Sequence, residues 1–238
     1  RDAQSLAWRK RVLHISGGNA GGNEIGTFQA RLQRSGAVLS NNDFGAIVTT
    51  VSKQSAETVV TSTAEEIISA VNAGVAIKVF LGHGAVTNTD FGLDDPFLFN
   101  NTGRYPLIFS LGCLTGKLYD RQNSLSERFI LTPKHGGIGY IASSGFANDG
   151  ALEFFLTQFY QALGGPNYLD GVGDMTNVAR RSLEGINSFI FRSMGEQLSF
   201  HGDPAVRINR YKGPDFTPDL SSFRLQPSNP TVDQDSFS

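Results

Sequence analysis

The sequence predicts an α/β fold: a mostly parallel β-sheet with helices on both faces, in three layers. Three observations point to it. Apolar runs of strand length alternate with stretches of helical period, the element order of a sheet covered on both sides. Two of those runs, "VAIKVFLG" and "YPLIFSLG", are apolar almost throughout, as buried strands are. Many of the 27 glycines directly follow apolar runs, where the tight turns of such a protein fall.

The elements follow in order. "RKRVLHIS" (9–16) reads as the first core strand, ended by "GGNAGG". "NEIGTFQARLQRSG" (23–36) has apolar positions near helical spacing and a Gly stop at Gly36. "FGAIVTTVS" (44–52) is the second strand. "STAEEIISAVNAG" (62–74) is a helix capped by Ser62 or Thr63, with Glu65 and Glu66 in its first turn and Gly74 at its end. The two buried strands come next. "SLSERFILTP" is a helix stopped by Pro133, "GGIGYIASS" a strand, and "ALEFFLTQFYQALGG" and "MTNVARRSLEG" two more helices. "DPAVRINRY" (203–211) is assigned as the last strand. After Tyr211 the texture turns to Pro, Ser and Asp without a sustained period. Residues 1–211 are therefore assigned to one domain, and 212–238 to a linker or the start of a downstream β-domain.

Composition narrows the function. The 238 residues are 39% hydrophobic, enough for one large core. Lys and Arg total 20 against 22 Asp and Glu, a net charge of −2 with no basic stripe, so no nucleic-acid partner is expected. No run approaches the roughly twenty apolar residues that cross a bilayer, so no transmembrane segment is expected. "RDAQSLAWRKRV" lacks the apolar core and cleavage site of a targeting signal, and a start at Arg reads as an excised domain or mature fragment. The one cysteine, Cys113, has no partner within the chain.

Chemistry enters at the ends of the two buried strands. "KVFLGHG" stops at His83 and "LIFSLGC" at Cys113. The connection from Gly84 to Arg104 is long enough for a right-handed crossover between neighbouring parallel strands. Both side chains then project into the crevice at the carboxyl edge of the sheet, where open α/β sheets place their ligands. An imidazole beside a thiol is the equipment of nucleophilic catalysis. The backbone N–H groups of Gly84 and Cys113 could hold a developing oxyanion. Against this stands the commoner fate of a lone cysteine, a small buried core residue.

These same residues resemble the caspase-like cysteine peptidases, which include legumain, separase, clostripain and the gingipains. "EEIISAVNAGVAIKVFLGHG", "LIFSLGCLTG", "LSERFILTPKHGGIGYIASS" and "FHGDPAVRI" are similar, in that order, to segments of the gingipain-like group, and the likeness covers most of 9–211. Within the group, "RDAQSLAWRKRVLHISGG" and "FGLDDPFLFNNTGRYPL" look closest to PorU-type proteins of the type IX secretion system, which remove C-terminal sorting domains from exported cargo. The resemblance implies a cysteine endopeptidase acting on extracytoplasmic proteins, with His83 as general acid/base, Cys113 as nucleophile, and Gly84 beside the oxyanion. It implies protein or peptide substrates and secretion-system components as partners, and no cofactor for the chemistry.

The chain departs from the group in two places: the acid that orients the histidine, and the acid that arginine-specific members put at the pocket floor near the start of the first helix. Gingipains carry an acid directly after the first strand that orients the histidine; "ISGGNAGG" has none before Glu24. Three roles stay open for Glu24: orienting His83, forming the acidic floor of a pocket for a basic side chain, or serving as a helix N-terminal charge. The missing acid also keeps a second reading open, a catalytically weak caspase-like scaffold that binds cargo or secretion partners. In "SSGFANDG", Ser144, Phe146 and Asp149 are candidates for contacts with substrate, with an ordinary strand-to-helix loop as the alternative. Asp90, Asp94 and Asp95 in "TDFGLDDP" offer oxygens for a structural calcium, or turn caps before Pro96. His14, His135 and His201 are assigned structural or surface places.

Overall fold

A computed structural model describes residues 7–19, 22–53, 61–119 and 124–208. Six strands, β1 (Arg11–Ser16), β2 (Ile47–Ser52), β3 (Ile77–Leu81), β4 (Leu107–Leu111), β5 (Gly139–Ser143) and β6 (Leu198–Gly202), form one sheet in the order β2-β1-β3-β4-β5-β6. The first five run parallel, and β6 closes the edge antiparallel to β5. The helices are α1 (Glu24–Asn41), α2 (Thr61–Ala73), α3 (Leu125–Leu131), α4 (Asp149–Leu163), α5 (Val172–Glu184) and α6 (Phe189–Gln197).

Alternation along the strands sorts the core into two layers. Val12, Ile77, Val79, Leu81 and Phe109 face α1, α4 and α5, where they join Leu32, Phe155, Phe159 and Met175. Leu13, Ile15, Phe80 and Ile108 face the other way and join Ile67 and Val71 of α2 and Phe129 of α3. Each fully buried Leu, Ile or Phe contributes roughly 1.5–3 kcal/mol. The three-layer α/β architecture is as predicted.

Several boundaries differ from the sequence expectation. Helix α1 runs through Gly36 to Asn41. A Cβ at Gly36 would lie 3.1 Å from Val48 Cγ1 and 3.2 Å from the His14 ring, so this glycine lets the helix press onto the sheet rather than ending it. Helix α2 begins at Thr61, which places Ser62 and Thr63 inside its first turn and leaves that turn without an acid. Gly74 does end it, with φ +96. Among the described residues the last strand is "LSFHG", and 203–208 of the expected "DPAVRINRY" form a turn instead: Asp203 accepts the Ala205 N–H on its side chain at 2.9 Å and the Val206 N–H on its carbonyl at 3.1 Å, a turn that Pro204 suits. Helix α6 is an element that the sequence expectation does not contain. Residues 209–238, including the expected linker, lie outside the described residues.

Candidate active site

Strands β3 and β4 pair in parallel with Leu81 opposite Leu111, and the Gly82 N–H extends the pairing to the Leu111 carbonyl at 3.2 Å. His83 and Cys113 each come two residues after that matched pair. Register therefore sets them at one height, on neighbouring chains that lie roughly 4.8 Å apart within a sheet. Both line a cleft of about 220 Å³ between the first turns of α1 and α4. Cys113 is half-buried rather than part of the sealed core.

The two chains approach this closely because side chains are missing where they touch. A Cβ on Gly84 would stand 2.5 Å from Thr115 Cγ2 and 3.0 Å from the Cys113 carbonyl oxygen. One on Gly112 would stand 3.0 Å from the Gly82 oxygen and 3.2 Å from the Gly84 nitrogen. Neither the Gly84 nor the Cys113 N–H has a backbone acceptor among the described residues, so both remain available beside the sulfur. Leu114 holds a left-handed backbone, φ 61, which turns the chain sharply after the cysteine. Its N–H donates to the Gly145 carbonyl at 2.9 Å, and the Thr115 hydroxyl donates back to the Ser110 carbonyl at 2.8 Å. The sulfur itself accepts the Ala147 N–H at 3.4 Å, just before the start of α4.

The imidazole is held by side chains. Glu24, the first residue of α1, sets its carboxylate 2.9 Å from His83 Nε2 and also accepts the Asn19 N–H at 2.8 Å. The Asn19 side-chain amide lies 3.2 Å from the same ring nitrogen. The bond to His83, and then that from the Asn19 backbone, hold the Glu24 carboxyl below its ordinary value. A carboxylate on Nε2 leaves Nδ1 as the nitrogen that can exchange a proton with substrate. Phe28, one turn further along α1, meets the imidazole edge to face at 6.0 Å. Behind them Asp90 clamps the two loops: it accepts the Gly18 N–H at 2.7 Å, and its own N–H donates to the His83 carbonyl at 2.9 Å.

A peptidase family C25 model matches residues 1–209. The chain belongs to that family. The C25 chain is similar in structure to the Arg-specific cysteine proteinase gingipain R, with a TM-score of 0.68 at 18% identity, covering 84% of this chain and 47% of that one. It is similar too to the mature domain complex of Porphyromonas gingivalis RgpB with its pro-domain, with a TM-score of 0.69 at 17% identity, covering 84% and 48%. At such identities the likeness is one of fold, and this chain spans just under half of those structures. Among curated proteins, no sequence matches significantly.

The remaining sequence candidates fall in three places in this C25 chain. Asp149 lines the cleft, and its carboxylate accepts from Arg31 Nε at 2.8 Å. Phe146 stands at 80% exposure one residue before Ala147. Ser144 gives both its N–H and its hydroxyl to the Gln197 carbonyl, at 3.0 and 3.1 Å, and so ties the loop to the end of α6. The three aspartates offered for calcium diverge. Asp90 faces Gly18, Asp94 accepts from the Thr89 N–H and hydroxyl, and Asp95 caps a short turn through the Phe97 N–H. Among the described residues, no group of three or more His, Cys, Asp or Glu side chains is arranged around a metal position. His14 pairs with Tyr160 in the core at 2.8 Å, and burial pushes it down to about 4. His135 bonds the Phe99 carbonyl and His201 the Ser199 hydroxyl.

Sequence reasoning in this C25 chain missed Asn19, Phe28, Ala147 and the clamp at Asp90. Phe28 had a signal: four residues after Glu24 on one helix, it shares the face of α1 that Glu24 presents. Ala147 had none, because its contribution is a main-chain N–H.

Proposed function

We propose that this domain is a cysteine endopeptidase that cleaves extracytoplasmic proteins through Cys113 and His83, within a PorU-type protein that trims sorting domains from type IX secretion cargo. The observation that supports it most is the matched register of His83 and Cys113, with a carboxylate behind the imidazole and free N–H groups beside the sulfur. His83 takes the proton of the Cys113 thiol, and the sulfur attacks the peptide carbonyl. The Gly84 and Cys113 N–H groups receive the oxyanion, each well-placed donor being worth roughly 3–4 kcal/mol in such sites. The C–N bond breaks as His83 passes a proton to the leaving amine. Water, or an amine in a transpeptidase version, then displaces the sulfur from the acyl carbon. None of these steps calls for a cofactor.

The scaffold reading draws its weight from the missing orienting acid, and the Glu24 carboxylate 2.9 Å from His83 Nε2 favours the peptidase reading over it. The test is alkylation. Purified protein treated with a peptidyl chloromethyl ketone should label at Cys113, read by intact mass, and His83→Ala should slow labelling by roughly a hundredfold or more. Equal rates in the two proteins would return the scaffold. For the sorting role, incubation with cargo bearing its C-terminal domain should release that domain, and Cys113→Ala should not.

A further inference from the structure

We propose that the pocket beside Cys113 takes an uncharged, apolar side chain, up to phenylalanine in size, from the substrate residue whose carbonyl is attacked, and turns away arginine and lysine. This rests on the peptidase reading above and adds the substrate class. Phe28, Leu81, Leu111 and Leu152 line the cleft that Cys113 shares, alongside the polar Glu24, Thr27, His83 and Asp149. Its volume of about 220 Å³ exceeds the roughly 150 Å³ cavity that accommodates benzene in another protein. A mid-sized apolar group fits there.

A basic side chain would need an available carboxylate. Glu24 and Asp149 are the acids that line the cleft among the described residues, and each already holds a basic or N–H partner on one carboxylate oxygen. Glu24 is bound between the Asn19 N–H and His83. Asp149 accepts from Arg31, which also reaches Glu153, itself held by Arg34. Two guanidinium groups thus balance two carboxylates. An entering cation would shed its water in a cleft whose Asp149 is already charge-paired with Arg31 and whose Glu24 is already bonded to His83. The arginine specificity named for a neighbour of the same fold does not transfer with the fold.

The test uses four chloromethyl ketones that share one peptide and end in Leu, Phe, Arg or Lys, each with the purified protein. Labelling of Cys113 is followed by intact mass. Leu and Phe reagents should react at least about tenfold faster than Arg and Lys reagents. Arg31→Gln, which leaves Asp149 without its partner, should raise the Arg-to-Leu rate ratio several-fold. Arg or Lys reagents that match or outpace Leu, in a reaction still abolished by His83→Ala, would overturn the specificity while leaving the peptidase intact. An unchanged ratio in Arg31→Gln would also overturn it. Uniformly slow labelling by all four, indifferent to His83→Ala, would instead remove the peptidase reading.

Discussion

His83 is held by side chains and Cys113 by main chain, although both stand two residues beyond paired positions on adjoining strands. On the histidine side, a half-exposed imidazole leans on Glu24, Asn19 and Phe28, with Asp90 tying the loops behind it. On the cysteine side, the sulfur meets the Ala147 N–H, the chain turns through a left-handed Leu114, and glycines let two backbones touch. The difference has consequences. Side-chain supports include a carboxylate that titrates, and they tolerate replacement by similar groups. Main-chain supports do not titrate, but a single added methyl group disturbs them.

The largest effect should come from breaking the main-chain side. Gly84→Ala puts a Cβ 2.5 Å from Thr115 Cγ2, so one of the two loops must move. That displaces the N–H groups proposed to receive the oxyanion, and cleavage of peptidyl substrates should fall by about a hundredfold or more. Overpacking should also remove about 1–3 kcal/mol of stability, read from the denaturant midpoint. Iodoacetamide, which forms no oxyanion, should lose far less. A variant that cleaves at the wild-type rate would show that this backbone contact is not part of the site.

Glu24→Gln loosens the side-chain support and should cost less, about ten- to a hundredfold in kcat/KM. It carries a pH signature. The Glu24 carboxyl is held below its ordinary value of 4.5, so its contribution is complete above that value. It is lost as pH falls through the lowered value. Thermal melts from about pH 7 to about pH 3 should show wild type and Glu24→Gln converging at the acid end, by a modest amount because the group is about a third exposed. Constant separation across that range would mean that the bond to His83 contributes nothing to stability.

The same contrast explains what the sequence made legible. His83 and Cys113 could be read because each is a reactive side chain following an apolar strand, and parallel register does the rest. Glu24 could be found as an acid but not given its role, since the path of the loop from Gly17 to Asn23 decides whether it reaches the imidazole. Asp90, Asp94 and Asp95 looked like one cluster because they are close in sequence; in space each is taken by a different backbone group. Gly36 reads locally as a helix stop, and only the approach of the sheet shows why a glycine continues the helix there. Contacts made by the main chain, such as the Ala147 N–H on the sulfur, leave no mark on residue identity.

The smallest effect should come from Leu114→Gly, which asks whether the strained turn itself places the sulfur. A leucine with φ 61 pays a conformational penalty that glycine escapes, while glycine adds freedom to the unfolded chain. The two terms oppose, so net stability should change by no more than about 1 kcal/mol. If the Leu114–Gly145, Thr115–Ser110 and Ala147–Cys113 bonds fix the turn, peptidyl labelling should stay within about twofold of wild type, because all three survive the change. A tenfold fall with unchanged melting would mean that the leucine side chain, rather than the hydrogen-bonded main chain, holds Cys113, and the division between the two halves of the site would then be redrawn.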